Sequence, residues 1–324
     1  MLTIYRDEGA TVQASNDPDL PGTVIWIDLL DPTPDERAFV ESRAKIRMPS
    51  KEVLSEIEAS SRLVVERGVL YLSTPMVARG DTLDAYLSPA GFVLSPRLLV
   101  TIRYVELSTF DAVAERVRKD ETLASSIGVF TALLEAIVDR GADVLEHLGA
   151  ETDRISRAVF RGDTADQRHP VRSTRILRET LSTIGVIGDR VSQARDVLLG
   201  VGRIGSFAND LGHEWIGPEF RVRLSAVQKD IASLNDYEAH LASKVQFLLD
   251  AVLGYITIQQ NDLFKVLTIA SVVGIPPTVL AGIWGMNFKF MPELDWTAGY
   301  PLALAAIVLS ALIPLTWFKA RGWF

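Results

Sequence analysis

Residues 266–284 (VLTIASVVGIPPTVLAGIW) run nineteen positions without a charge, and residues 297–318 (TAGYPLALAAIVLSALIPLTWF) run twenty-two more. Each stretch is long enough to cross a hydrocarbon core of ~30 Å as a helix. The twelve residues between them, GMNFKFMPELDW, are too few to fold alone. Their backbone polar groups must find water or protein, because lipid offers no partner. The chain is therefore expected to end in a membrane hairpin whose turn carries Gly285, Met286 and Asn287.

Composition agrees with a chain only partly in lipid. Of 324 residues 48% are apolar, and the mean hydropathy of +0.19 is high for a soluble protein yet low for a transporter of many spans. The absence of cysteine removes disulfide frameworks and thiolate metal sites. His147, His169, His213 and His240 stand apart, none with a second histidine at ligand spacing, so surface roles are expected over zinc ligation. The opening residues MLTIYRDEGATVQ lack the basic and apolar regions of a signal peptide, which assigns the N-terminal part to the cytoplasm.

Charge sharpens this. Setting aside Lys265, Lys289, Lys319 and Arg321 with Asp262, Glu293 and Asp295 leaves 29 bases against 38 acids, a net charge near −9 for the soluble part. An acidic domain beside a membrane repels nucleic acid and gathers cations; solubility alone explains it equally well. Two spans return the C-terminus to the side of the N-terminus. One base in the loop, Lys289, against Lys319 and Arg321 in the tail agrees with both termini being cytoplasmic.

Up to about residue 105 the chain reads as α/β. Val24 to Asp28 has strand character, and Asp31-Pro32-Thr33-Pro34-Asp35-Glu36 is turn chemistry leading into a helix through Phe39 and Val40. Residues 63–77 and 90–104 are β-branched and aromatic runs broken by Gly68, Pro75 and Ser95-Pro96, which predicts a mixed sheet flanked by short helices. No nucleotide fingerprint, nucleophile elbow or zinc signature occurs, so neither an enzyme nor a small-molecule substrate is expected.

From Phe110 the period becomes helical. Phe130, Leu134, Ile137, Val144, Leu148, Ile155 and Val159 mark one long helix, and Leu177, Leu181, Ile184, Val191 and Leu198 another. A loop from Arg161 to Pro170 separates them, and the glycines from Gly200 to Gly212 are expected to end the pair. Pro218 then starts a last helix. Its apolar positions, Phe220, Leu224, Val227, Ile231, Leu234, Leu241, Val245, Leu248 and Val252, continue without a break toward the first span. Run on to Ile283 it would be on the order of 100 Å long, a stalk whose seam packs on copies of itself or on the helices before it.

A stripe of small and polar residues follows this helix: Asp250, Gly254, Thr257, Asn261, Phe264, Thr268, Ser271, Ile275, Thr278 and Gly282. Within a span such a stripe avoids lipid. It fits either close helix packing or the lining of a pore on a symmetry axis. Its continuation to Asn261 and Asp250, outside the span, favours the pore, because a carboxylate repeated around an axis concentrates cations.

The string AGIWGMNFKFMPELDW between two terminal spans, followed by a basic tail, resembles the CorA family of divalent-cation channels, whose hallmark is Gly-Met-Asn at the end of the first span. The likeness is tight from Asp250 onward and one of layout before it. It implies a homopentameric channel embedded in the cell inner (plasma) membrane: a cytoplasmic α/β domain (1–108), a helical layer (109–217), a stalk helix (218–265), two transmembrane helices (266–284 and 297–318), an extracytoplasmic loop (285–296) and a cytoplasmic tail (319–324). It also implies passive, potential-driven Mg²⁺ influx, with Co²⁺, Ni²⁺ or Zn²⁺ as alternative cargo, since a zinc-transporting branch shares the layout. A membrane-anchored metal sensor is the reading of another class.

By the same resemblance Gly285, Met286 and Asn287 form the mouth, with Thr278 and Gly282 beneath it. Leu267 and Ile275 match apolar constrictions, and Asn261 and Asp250 match polar rings further in. Ile275, where a family member has methionine, and the double proline Pro276-Pro277 depart from the pattern, and two missing backbone donors bear on the gate. Glu56, on a stretch resembling the domain side of a regulatory contact, and Asp230 and Asp236 on the stalk are the acids implied for cytosolic sensing of Mg²⁺. Mg²⁺ parts from its waters reluctantly, so a mouth of neutral acceptors such as Asn287 suits a hydrated ion.

Overall fold

Alternation along the strands builds a sheet with two buried faces. The structure, a computed structural model, describes the chain outside residues 8–11, 16–22, 57, 59–61, 79–84, 161–169, 213, 288, 290, 293–295 and 324. Strands β1 (Leu2–Asp7), β2 (Val12–Ser15), β3 (Thr23–Leu30), β4 (Leu63–Glu66), β5 (Val69–Ala78), β6 (Tyr86–Leu94) and β7 (Leu99–Arg103) pair in the order β2-β1-β3-β7-β6-β5-β4. Among the described strands β3 and β7 are the parallel pair, so the sheet is mixed. Successive side chains face opposite sides. Leu70, Leu72, Phe92 and Leu94 enter one core, and Tyr71, Val93, Val100 and Ile102 enter the other.

Helices α1 (Pro34–Ala44) and α2 (Lys51–Ser55) cover the second core through Val40 and Leu54. The turn chemistry before α1 is a capping box: Thr33 Oγ1 accepts from Glu36 N at 3.2 Å, and Glu36 Oε2 accepts from Thr33 N at 2.9 Å. Arg67 (φ 52°) and Gly68 (φ 79°) both lie in the left-handed region, as the tight turn joining β4 to β5 demands.

Pro75 does not break its strand as expected. It stands opposite Pro89 in the β5–β6 ladder, beyond the last β5 residue paired with β4 (Leu72) and one past the last β6 residue paired with β7 (Ala90). Neither proline is asked for an N–H there, so the ladder passes through.

The first core is closed by α3 (Ser108–Val117), α4 (Ser126–Phe160), α5 (Pro170–Leu211) and the first half of α6 (Pro218–Trp284). The loop expected between α4 and α5 lies almost wholly outside the described residues. A second difference concerns the glycines after residue 199, which do not end α5; the helix continues to Leu211. They are instead places of close approach. A Cβ on Gly200 would strike the Thr74 side chain, and one on Gly205 would lie 2.8 Å from Gln228 Nε2 and 3.2 Å from Leu134 Cδ1. Clustered glycines signal a breaker and tight helix contact alike, and only the partner surfaces distinguish the two.

On α6 the apolar seam enters the first core at Leu224, Val227, Ile231 and Leu241, and Leu248 and Val252 further along are buried as well. Arg223 reinforces this with two bonds to Glu135 on α4, at 2.8 and 2.7 Å, which also hold its guanidinium pKa above the usual value. Beyond Val252 no described residue of α6 is buried. The chain accordingly divides into two compact units: residues 1–163 with 179–249, holding the sheet and its helices, and residues 164–178 with 250–324, holding the rest of α6 and helix α7 (Gly299–Ala320).

Candidate functional site

The stripe is presented by one uninterrupted helix. α6 is helical through Pro276 and Pro277 to Trp284, where Gly285 N donates to Ala281 O at 3.0 Å and Met286 N to Ile283 O at 3.3 Å, closing the last turn. Asp250, Gly254, Thr257, Asn261, Phe264, Thr268, Ile275, Thr278 and Gly282 are exposed, and Ser271 is half-buried. A Cβ on Gly254 or Gly282 would meet nothing within 4 Å. Leu267 and Phe264 are 62% and 65% exposed, unusual for side chains of that size without lipid or another copy against them.

The threonines are prepared in a particular way. Thr257 Oγ1 donates to Leu253 O at 3.0 Å, Thr268 Oγ1 to Phe264 O at 2.7 Å, and Thr278 Oγ1 to Gly274 O at 2.8 Å. A hydroxyl has one proton, so each of these side chains now offers only lone pairs outward. Acceptors are what the hydrogens of a cation's hydration shell require.

Gly285, Met286 and Asn287 follow at the C-terminal end of α6, where unsatisfied carbonyls give a partial negative charge. All three are exposed. A Cβ on Gly285 would come within 3.0 Å of Ala281 O, so the close turn here favours glycine. These three residues are thus neutral in formal charge yet sit at the partial negative end of the helix.

Helix α7 fits a bilayer by its ends. Trp296 and Tyr300 are 64% and 76% exposed at one end, and Trp317 lies at the other. From Tyr300 to Trp317 the helix rises roughly 25 Å, most of the ~30 Å hydrocarbon core, with aromatic residues toward each interface.

The three acids expected to sense Mg²⁺ do not converge. Glu56 caps the C-terminal end of α2, its carbonyl accepting from Arg62 Nε at 2.5 Å, and its side chain is exposed, as are Asp230 and Asp236. Six residues apart on α6, the two aspartates point about 120° from each other. Among the described residues no three His, Asp or Glu side chains gather around a common point. The threonine back-bonding had no expression in the sequence beyond residue type. The long, unbroken helix that aligns the stripe did.

A mixed α/β domain, a helix of 67 residues and a two-helix apolar hairpin with an exposed polar stripe define a two-span membrane transport protein. The profile of the CorA-like Mg²⁺ transporter protein family matches residues 21–320. The chain belongs to that family. It is 29% identical over 337 aligned residues to the magnesium transport protein CorA of Campylobacter jejuni (strain RM1221), all of each chain being covered. It is 31% identical to that of Haemophilus influenzae (strain ATCC 51907), over 93% of this chain and 92% of the other. The complete CorA magnesium transporter of Methanocaldococcus jannaschii shares the fold, with a TM-score of 0.76 at 18% identity, covering 100% of this chain and 99% of that one.

Proposed function

We propose that the chain is one subunit of a homopentameric channel through which Mg²⁺ enters the cytoplasm passively, driven by the membrane potential. The observation that carries this reading is the exposed polar stripe of α6, which leads from Asp250 to the Gly285-Met286-Asn287 turn. Copies of α6 surround the axis, and α7 faces lipid outside them. The hydrated ion is received at Asn287 and passes Gly282, Thr278, Ser271 and Thr268, whose oxygens bond its waters. It crosses the apolar levels of Ile275, Leu267 and Phe264, where the pore closes by dewetting, and leaves past Asn261 and Asp250. Both termini are cytoplasmic and residues 285–296 form the outer loop.

Uptake into proteoliposomes tests this directly. Mg²⁺ influx that rises with an inside-negative potential supports the reading. Faster influx of Co²⁺, Ni²⁺ or Zn²⁺ under the same potential would reassign the cargo, and absence of any ion flux would reduce the chain to a membrane-anchored sensor.

Assembly gives a separate test. One stripe cannot enclose a pore, so native mass spectrometry in mild detergent is expected to find a pentamer. Flux-active monomers or dimers would remove the axial pathway.

Feedback is proposed through Glu56, Asp230 and Asp236. Because these acids do not gather within one chain, an ion bridging them joins neighbouring subunits and favours the closed assembly by its difference in affinity. Replacing all three by alanine is expected to raise the internal Mg²⁺ needed for half-inhibition by about tenfold, the effect of losing roughly 1.4 kcal/mol of coupling. Unchanged inhibition would leave them as ordinary surface acids.

A further inference from the structure

A closed piece of packing in the second unit lies at the inner end of the hairpin. Phe318 is 3% exposed, the one buried residue of α7. Beyond it the chain turns back through Gly322 (φ 70°). Gly322 N donates to Lys319 O at 3.1 Å and Trp323 N to Phe318 O at 3.1 Å, the paired bonds of a Schellman motif. The hook sets the Trp323 ring 5.0 Å from Phe318, which lies 5.1 Å from Trp317. Two bases sit on these rings: Lys265 Nζ of α6 is 5.8 Å from the Trp323 centroid, and the Arg321 guanidinium carbon is 4.8 Å from that of Trp317.

This cluster stands where both apolar runs stop, since the run of α6 begins at Val266 and that of α7 ends at Phe318. Long cations at such a level ordinarily swing out to water. Here the ring faces hold them at the boundary, and the hook fixes one of those rings. Lys265, Lys319 and Arg321 stand against one acid, Asp262, in these segments. Indole at the glycerol level with cations just beyond it complements a negatively charged phospholipid.

We propose that this aromatic and basic collar is a binding site for the headgroup of an anionic phospholipid, with Lys265 and Arg321 as phosphate ligands and Trp317 and Trp323 lying along the glycerol and upper acyl chains. The occupant is a lipid rather than free phosphate, because the rings and the ends of two apolar helices form half of the surface. The site is independent of which ion the protein carries.

The test uses the full chain in phosphatidylcholine vesicles with or without phosphatidylglycerol. Brominated phosphatidylglycerol is expected to quench the fluorescence component lost in W323F more strongly than brominated phosphatidylcholine. Each cation near the surface contributes about fivefold, so K265Q/R321Q is expected to lower the preference by on the order of tenfold or more, while the charge-conserving K265R/R321K keeps it. Equal quenching by the two lipids in the unmodified protein, or an unchanged preference in the glutamine variant, would overturn the proposal. Loss of the preference on adding inorganic phosphate, at an ionic strength matched with chloride, would also overturn it, by making the site one for free anions.

Discussion

Asn287→Ala is expected to abolish most Mg²⁺ uptake while leaving the pentamer assembled. The residue is exposed just past the end of α6, so its removal is expected to spare folding. On the proposed pathway it removes one neutral acceptor per subunit from the ring that receives the hydrated ion. An inert cation of similar outer size, which cannot shed its ligands, should compete with Mg²⁺ at the unmodified mouth and lose that ability in the alanine variant. Asn287→Asp keeps the shape but brings carboxylates together around the axis. They hold a divalent ion too tightly for rapid release, so flux falls although binding strengthens. The expected loss of flux in both variants is about tenfold or more, equivalent to at least ~1.4 kcal/mol on the barrier. Tracer uptake into vesicles and competition by the inert cation read the two effects separately. Normal flux and normal competition in the alanine variant would remove Asn287 from the selectivity mouth.

What could be read from the sequence follows from how local each cause is. The two apolar runs, the strand character of Val24 to Asp28 and the turn chemistry from Asp31 to Glu36 depend on residues within one helix turn or one strand, and the structure has a strand and a helix there. The polar stripe needed only the helical period. Pro75 and Gly200 were read for what they do to an isolated segment. Their effect depends on Pro89 and Thr74, residues brought alongside by the sheet. The inner collar was hidden for a related reason: Lys265 and Trp323 are far apart in the chain, and Gly322 reveals its purpose only once the hook is formed. Glu56 at the end of α2 and Asp230 and Asp236 on the stalk were implied by the resemblance alone, and the described residues of one chain do not bring them together.

Asp28 gives the largest expected effect on stability, and strand character alone did not mark it. Its carboxylate, buried between β3 and β7, accepts from Thr101 Oγ1 at 2.6 Å and from Arg103 Nε and Nη2 at 3.1 and 2.9 Å. Thr101 in turn accepts from Trp26 Nε1 at 2.9 Å, and Trp26 stacks on Tyr5 with centroids 4.2 Å apart. Burial, and then the charge of Asp28, push the Tyr5 phenol up to about 12. Asp28 and Arg103 are 5% and 6% exposed, so deleting one charge strands the other out of water. Asp111, 3.5 Å from Arg103 but 72% exposed, is too well solvated to replace it. Asp28→Ala is expected to cost about 3–5 kcal/mol, which at this size lowers the unfolding temperature by on the order of 10 °C. Adding Arg103→Met should recover most of the loss, because the stranded cation rather than the missing attraction dominates the penalty. Thermal unfolding of the full chain in detergent, followed by tryptophan fluorescence, compares the two variants. If the double variant were no more stable than Asp28→Ala, the cost would lie in the lost Thr101 and Trp26 bonds instead of the buried charge.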